Sequence, residues 1–319
     1  MQNKVKSKMK VIFFGTPKIG ATILESLVTN PEVEVQLVVT QPDKKEGRKL
    51  RLTSSPVKEM ALKYGLPVLQ PTKVATIIPE LTALKPDFLI TCAFGQFLPP
   101  KVLQIPQIEP LNLHGSLLPA YRGGAPIQMA IWNGDTETGM SLMRMVKGMD
   151  AGPYFAQAKL TIKPDINSEE LFSEMADLGS VLLKENLKMI FEGKIDPLDQ
   201  IESLVTFAPI LKSEQEHLNW NNTTRNLHNQ IRALSPQPGA WTTYKEQRYK
   251  ILKTTALENC KNKIKTVIPG TILEINKKGI TVATQDGQLQ ILVIQKAGKN
   301  PTPAGIFGLN AFQIGGKFI

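Results

Sequence analysis

Apolar positions in the first 200 residues come in short runs, separated by stretches of helical periodicity. Lys10 to Phe14 reads as a buried strand, and Gly15-Thr16-Pro17 breaks it. Helical spacing follows from Ile19 to Leu27, then a second strand from Val33 to Val39 and a long polar loop over residues 40–55. Val57 to Tyr64 predicts a helix, Phe88 to Ala93 and Leu111 to Leu113 predict strands, and Ala125 to Trp132 a helix. Met140 to Met145 is strand-like, and Leu171 to Ile190 is a long amphipathic helix. This alternation predicts an α/β fold with a mostly parallel, Rossmann-like sheet wrapped by helices. Ligands then bind where loops leave the carboxyl ends of the strands.

After about residue 205 the pattern changes. Asn222 to Leu234 is one more helix, ended by Ser235-Pro236-Gln237-Pro238-Gly239. Strand candidates then follow at short intervals: Tyr249 to Lys253, Gly270 to Ile275, Ile280 to Thr284 and Leu289 to Ile294. Asp286-Gly287 between the last two is a hairpin signal. Short strands joined by turns predict a small C-terminal β-barrel, OB-like in kind. The expected organisation is an α/β domain over 1–195, a linker over 196–209 and a barrel over 210–319.

Composition narrows the class. At 319 residues, 42% hydrophobic and 21% charged, the chain is expected to be globular with two domains. No apolar run approaches the roughly 18 residues of a membrane span. Lys4, Lys6, Lys8 and Lys10 precede only Val11-Ile12-Phe13-Phe14, too short for a signal-peptide core, so a cytoplasmic protein without a membrane partner is expected. Cys92 and Cys260 give no disulfide framework. Three histidines and no Cys/His cluster of zinc spacing predict no metal site. A monomer is expected to suffice for two domains.

The net charge of +10 is unevenly placed. Residues 1–208 carry 23 Lys and Arg against 22 Asp and Glu, whereas residues 209–319 carry 15 against 6. A basic terminal domain fits a polyanionic partner, although many solvated surfaces are equally basic.

Three polar residues are candidates for chemistry. His114 follows the apolar run Leu111-Asn112-Leu113, at a strand's exit into a loop. Asn112 and His114 are two apart, so on a strand both side chains face the same way. An amide donor beside an imidazole is what acyl transfer needs, one for the oxyanion and one to move a proton. Asp150 stands in the turn Gly148-Met149-Asp150-Ala151-Gly152-Pro153, and if the fold brings it near His114 it would orient the imidazole. In isolation the pair also fits a strand end with two satisfied polar groups, and Asp150 fits a simple turn-former. Gly15-Thr16-Pro17-Lys18-Ile19-Gly20 is neither a Walker loop nor a dinucleotide fingerprint, and reads as a tight strand-to-helix turn.

The run Asn112-Leu113-His114-Gly115-Ser116-Leu117-Leu118-Pro119, with Arg122-Gly123 and Pro126-Ile127-Gln128, resembles the signature of enzymes that use 10-formyltetrahydrofolate. Gly148-Met149-Asp150-Ala151-Gly152 is similar to their second motif. Gln41-Pro42-Asp43, Gly47-Arg48 and Ser55-Pro56-Val57-Lys58, with Leu227 to Leu234 and Pro238-Gly239-Ala240-Trp241, extend the resemblance end to end to the methionyl-tRNA formyltransferases, within the folate-dependent formyltransferase family. The resemblance implies formyl transfer from 10-formyltetrahydrofolate to initiator methionyl-tRNA in translation initiation. It implies Asn112, His114 and Asp150 as catalytic residues, Ser116, Leu117, Leu118 and Pro119 as folate contacts, and Arg48, Lys49 and Arg51 as tRNA contacts. The chain departs from the family pattern at the inserted loop, where Lys49 and Leu50 stand for a glycine and a basic residue. It departs again at Gly115, where Pro is usual, and at Tyr121, where Trp is common.

Overall fold

The computed structural model describes residues 8–46, 50–257 and 267–319. It divides into two compact units. One holds residues up to Gly123 with 138–160 and 172–207, and the other holds 124–137, 161–171 and 208–319. The expected boundaries at 195 and 210 were contiguous. Instead, two segments from the middle of the α/β region belong with the C-terminal unit.

Along the chain come β1 (Met9–Gly15), β2 (Val33–Val39), β3 (Lys44–Glu46), β4 (Arg51–Thr53), β5 (Val68–Leu69), β6 (Phe88–Cys92), β7 (Glu109–His114), β8 (Glu137–Arg144) and β9 (Tyr154–Thr161). The helices of this part are α1 (Lys18–Val28), α2 (Pro56–Lys63), α3 (Ile78–Ala83), α4 (Pro100–Leu103), α5 (Pro126–Asn133) and α6 (Ser168–Phe191). Seven strands form one sheet in the order β5-β2-β1-β6-β7-β8-β9. Those from β5 to β7 run parallel, and β8 is antiparallel to β7. All five residues of β6 are buried, as expected of a strand covered on both faces. Against one face pack Ile12, Phe14, Leu37, Val39, Leu89, Val74, Leu81 and Val102, joining the strands to the helical segments at 74–83 and 100–103. The polar loop expected over 40–55 contains a two-stranded ribbon, β3 paired with β4. Its base is fastened: Ser55 caps α2 by accepting from Lys58 N–H at 3.1 Å, and Lys58 Nζ meets Asp43 at 2.6 Å. Hydrogen bonds from Lys58 and then Gln70 hold the Asp43 carboxyl below the usual carboxylate range.

The second unit is built on α7 (Thr224–Leu234), β10 (Trp241–Tyr244), β11 (Gln247–Leu257), β12 (Ile272–Asn276), β13 (Gly279–Ala283), β14 (Gln288–Lys296), β15 (Thr302–Pro303) and α8 (Ala304–Ala311). The strands pair antiparallel in the order β10-β11-β14-β13-β12. The last residues join the two edges. Ile319 exchanges hydrogen bonds with Thr243 beside β10, while Gly315 and Gly316 bond Ile272 and Phe318 bonds Gly270 beside β12. The sheet thereby closes as predicted for a barrel, around Leu227, Ile231, Tyr249, Ile251, Ile280, Ile291 and Phe318.

Buried Arg232 explains the discontinuous unit. From α7 its guanidinium donates to Asn229 Oδ1 at 3.1 Å, to the Ile131 carbonyl at 3.3 Å and to the Ile166 carbonyl at 3.4 Å. It thus ties α5 and the 161–171 segment to the helix that opens the C-terminal region. Gly134, which ends α5 at φ +78°, lies where a Cβ would sit 2.7 Å from Asn229 Nδ2, so the close approach requires glycine.

His228 on the same helix is buried and bonds Thr254 through Nδ1 at 2.9 Å. Burial first, then the positive charge of Arg232, pushes its pKa below the ordinary histidine value, with Arg225 acting the same way and Asp165 opposing. The folded state therefore binds fewer protons than the unfolded chain once pH falls below about 6.5. Stability contributed by His228 is full above that pH and is lost as pH drops toward the lowered folded value. Thermal unfolding should shift down between pH 7 and pH 5, and shift less in His228→Gln; equal shifts would remove His228 from the account.

Candidate active site

His114 is the last residue of β7, and Asn112 precedes it by two on the same face. The parallel register sets Thr91 of β6 beside Asn112. The Thr91 hydroxyl donates to Asn112 Oδ1 at 2.6 Å. With the oxygen end accepting there, the amide's donor end, Nδ2, is the one directed away from β6.

The His114 imidazole is only 5% exposed. Its Nε2 lies 2.8 Å from the Tyr121 carbonyl. A carbonyl only accepts, so Nε2 carries a proton, and in the neutral ring Nδ1 is the nitrogen with the free lone pair. Nδ1 faces Asp150 Oδ2 at 3.6 Å. That distance is too long for a hydrogen bond but well within electrostatic reach. The structure thus brings His114 and Asp150 together with a different division of labour from that of a hydrolase triad. The bond that fixes the ring is donated by the opposite nitrogen, Nε2, to the Tyr121 carbonyl. Asp150 faces the same nitrogen that is able to take a proton.

Asp150 itself is held firmly. Its backbone is left-handed, φ +49°, and Oδ2 accepts the Gly123 N–H at 2.9 Å. Gly152 after it is required by the scaffold, since a Cβ there would lie 2.0 Å from the Arg144 carbonyl at the end of β8.

The Ser116-Leu117-Leu118-Pro119 run folds into a closed turn. Ser116 is buried, and its hydroxyl donates to the Ala120 carbonyl at 2.6 Å. Ser141 Oγ donates to Ser116 O at 2.6 Å and accepts from Leu118 N–H at 3.1 Å. Gln157 Nε2 donates to both Leu118 O and Ser141 Oγ. Leu118 is also buried, so Leu117 and Pro119 are the side chains of the run that reach the surface. Of the expected tRNA contacts, Arg51 lies exposed on β4, while Arg48 and Lys49 fall outside the described residues.

Four contributors escaped the sequence reading: Thr91, the Tyr121 carbonyl, the Gly123 N–H, and Gln200, which bonds the Asp150 turn. Strand register would have found Thr91; the others act through backbone atoms or across long sequence separations. Cys92 at the end of β6 is fully buried, and burial pushes its thiol up to about 12, which removes it as a nucleophile near neutral pH. Among the described residues, no group of three or more His, Cys, Asp or Glu is arranged to hold a metal ion, and no helix is long and apolar enough to cross a membrane.

An amide, a buried imidazole and a carboxylate thus stand at the carboxyl end of a strand in a Rossmann-like sheet. The family model for formyl transferase matches residues 8–187, and that for the formyl transferase C-terminal domain matches residues 210–308. The chain belongs to the formyl transferase family. A methionyl-tRNA formyltransferase from Mesoplasma florum is 48% identical over 95% of this chain and 96% of its own length. Among solved structures, an N-formyltransferase from Helicobacter canadensis, in complex with folinic acid and dTDP-3-aminofucose, shares the fold. Its TM-score is 0.67 at 20% identity, covering 90% of this chain and 99% of that one. HypX from Aquifex aeolicus, in complex with tetrahydrofolic acid, aligns with TM-score 0.64 at 17% identity, over 97% of this chain and 49% of that one.

Proposed function

We propose that this enzyme transfers the formyl group of 10-formyltetrahydrofolate to the amino group of methionine on initiator methionyl-tRNA, in translation initiation. The observation that carries the reading is the convergence of Asn112 and of His114 Nδ1, with Asp150, at the end of β7. The methionyl-tRNA formyltransferase name of relatives aligned over nearly the whole chain supports the acceptor. Folate compounds bound to fold neighbours support the donor.

Each residue has a role in this scheme. Asn112 Nδ2 donates to the formyl oxygen as it gains charge during attack by the amine. His114 Nδ1 accepts the proton of that amine and delivers it to the folate nitrogen that leaves, so one C–N bond forms as another breaks. Asp150, 3.6 Å away, stabilises the positive charge that passes through the ring. Leu117 and Pro119 offer a wall to the donor, while Ser116 and Leu118 hold that wall's shape from within. Arg51 on β4, with Arg48 and Lys49 of the same inserted segment and the basic C-terminal third, meets phosphates of the tRNA.

The experiment is incubation of the chain with 10-formyltetrahydrofolate and charged initiator tRNA, followed by analysis for N-formylmethionine. Formate released without tRNA would instead make the protein a hydrolase. A second measurement tests the RNA platform. The KM for tRNA should rise steeply with salt, tenfold or more between 50 and 200 mM if several phosphates are contacted, while that for folate stays nearly constant. Parallel salt responses would contradict an electrostatic tRNA site.

A further inference from the structure

We propose that Gln200 is a positioning residue of the reaction, setting Asp150 against His114 from a segment the sequence reads only as a linker. The inference rests on Asn112, His114 and Asp150 being the transfer centre. Gln200 spends every hydrogen-bonding atom on this task. Its Nε2 donates to the Asp150 carbonyl at 2.8 Å and to the Gly152 carbonyl at 2.7 Å, and its Oε1 accepts from Arg122 Nε at 3.0 Å.

The two carbonyls flank Ala151, so the carboxamide bridges the turn that carries Asp150. That turn needs a restraint, because Asp150 holds a left-handed backbone that a side chain with a Cβ adopts only under support. Fixing the turn fixes the direction in which the carboxylate leaves it. The third bond reaches the other wall of the site. Arg122, buried and also bonded to Glu202 at 2.8 Å, is followed by Gly123, whose N–H donates to Asp150 Oδ2. Gln200 therefore bears on both restraints on Oδ2, directly on its own backbone and, shared with Glu202 and Thr206, on the segment that carries the Gly123 N–H.

The neighbouring residues repeat the pattern. Thr206 Oγ1 accepts from Tyr121 N–H at 2.9 Å, and Thr206 O accepts from Arg122 N–H at 2.9 Å. Tyr121 is the residue whose carbonyl holds His114 Nε2. Residues 200–206 thus buttress both partners of the imidazole. Only a carboxamide fits position 200, since it alone places two donors at one end and an acceptor at the other. A carboxylate of the same shape would set an oxygen against two carbonyls.

The test measures formyl transfer by the full chain carrying Gln200→Glu or Gln200→Met, each alone and in an Asp150→Asn background, with thermal unfolding recorded for all. Met keeps the length without polar atoms, so it serves if the Glu variant fails to fold. The single variants should lose about 10- to 100-fold in kcat, the scale of a small misplacement of a catalytic group, with KM for donor and acceptor changing less than about twofold. In the Asp150→Asn background the same change should cost less than about threefold, because the residue it acts through is already disabled. Near-wild-type kcat in the single variants, or equal losses in both backgrounds, would overturn the inference. If Asp150→Asn itself retained full activity, the catalytic reading beneath it would fall as well. Normal Gln200 variants beside a crippled Asp150→Asn would sink this inference alone.

Discussion

His114→Ala is expected to lower kcat for formyl transfer by about 100- to 10,000-fold, the range contributed by a positioned general acid–base group. The loss follows from the way the ring is held. Its Nε2 is committed to the Tyr121 carbonyl, so the proposed proton relay has only Nδ1 to run through, and no other titratable side chain stands on that end of β7. Because the imidazole is buried and does not form the outer wall, KM for either substrate should change little. Single-turnover measurement with saturating donor and acceptor checks this directly. Retained turnover would remove His114 from the chemistry, and a loss confined to KM would make it a binding residue.

Asn112→Ala is expected to cost about 100- to 1000-fold, the usual result of deleting one oxyanion donor. The expected signature differs from that of His114. Nδ2 bonds an oxygen whose charge grows only as the amine attacks, so kcat and kcat/KM should fall together. Thr91 sharpens the expectation. Its hydroxyl already occupies Oδ1, which leaves Nδ2 directed away from β6, so in the proposed scheme Asn112 loses little in reorienting. Comparing kcat and kcat/KM for Asn112→Ala measures the effect; a rise in KM with unchanged kcat would make Asn112 a ground-state contact.

The sheet was legible because its strands are short apolar runs bounded by turn residues. Lys10 to Phe14 and Val33 to Val39 lie on observed strands, and Phe88 to Ala93 overruns β6 by one residue. The shared face of Asn112 and His114 on β7 was legible for the same reason, since a spacing of two on a strand fixes a common face. Other elements carried no such signal. β9, Tyr154-Phe155-Ala156-Gln157-Ala158-Lys159-Leu160-Thr161, is half-buried along most of its length, and its mixed composition gives no clean alternation. α8 contains Gly305 and Gly308, poor helix formers that are kept because the strands β12 and β13 approach too closely for a Cβ. The polar stretch at 40–55 gave no apolar face, and its ribbon is held at the base by the Lys58–Asp43 pair and Gln70 rather than by a core. Tyr121 and Gly123 serve through a carbonyl and an N–H, which no side-chain pattern can announce. Gln200 looked like a linker glutamine because its partners lie 48 to 78 residues away.

In the proposed reaction Asn112 and His114, with Asp150, move a formyl group onto the amine of methionyl-tRNA. The most direct measurement uses 10-formyltetrahydrofolate labelled in the formyl carbon, charged initiator tRNA, and the wild-type chain beside His114→Ala and Asn112→Ala. Label is expected on the methionyl nitrogen with the wild type, and reduced by at least about 100-fold in the initial rate with either variant. Label that appears only as formate, or that reaches the tRNA at equal rates in all three proteins, would contradict it.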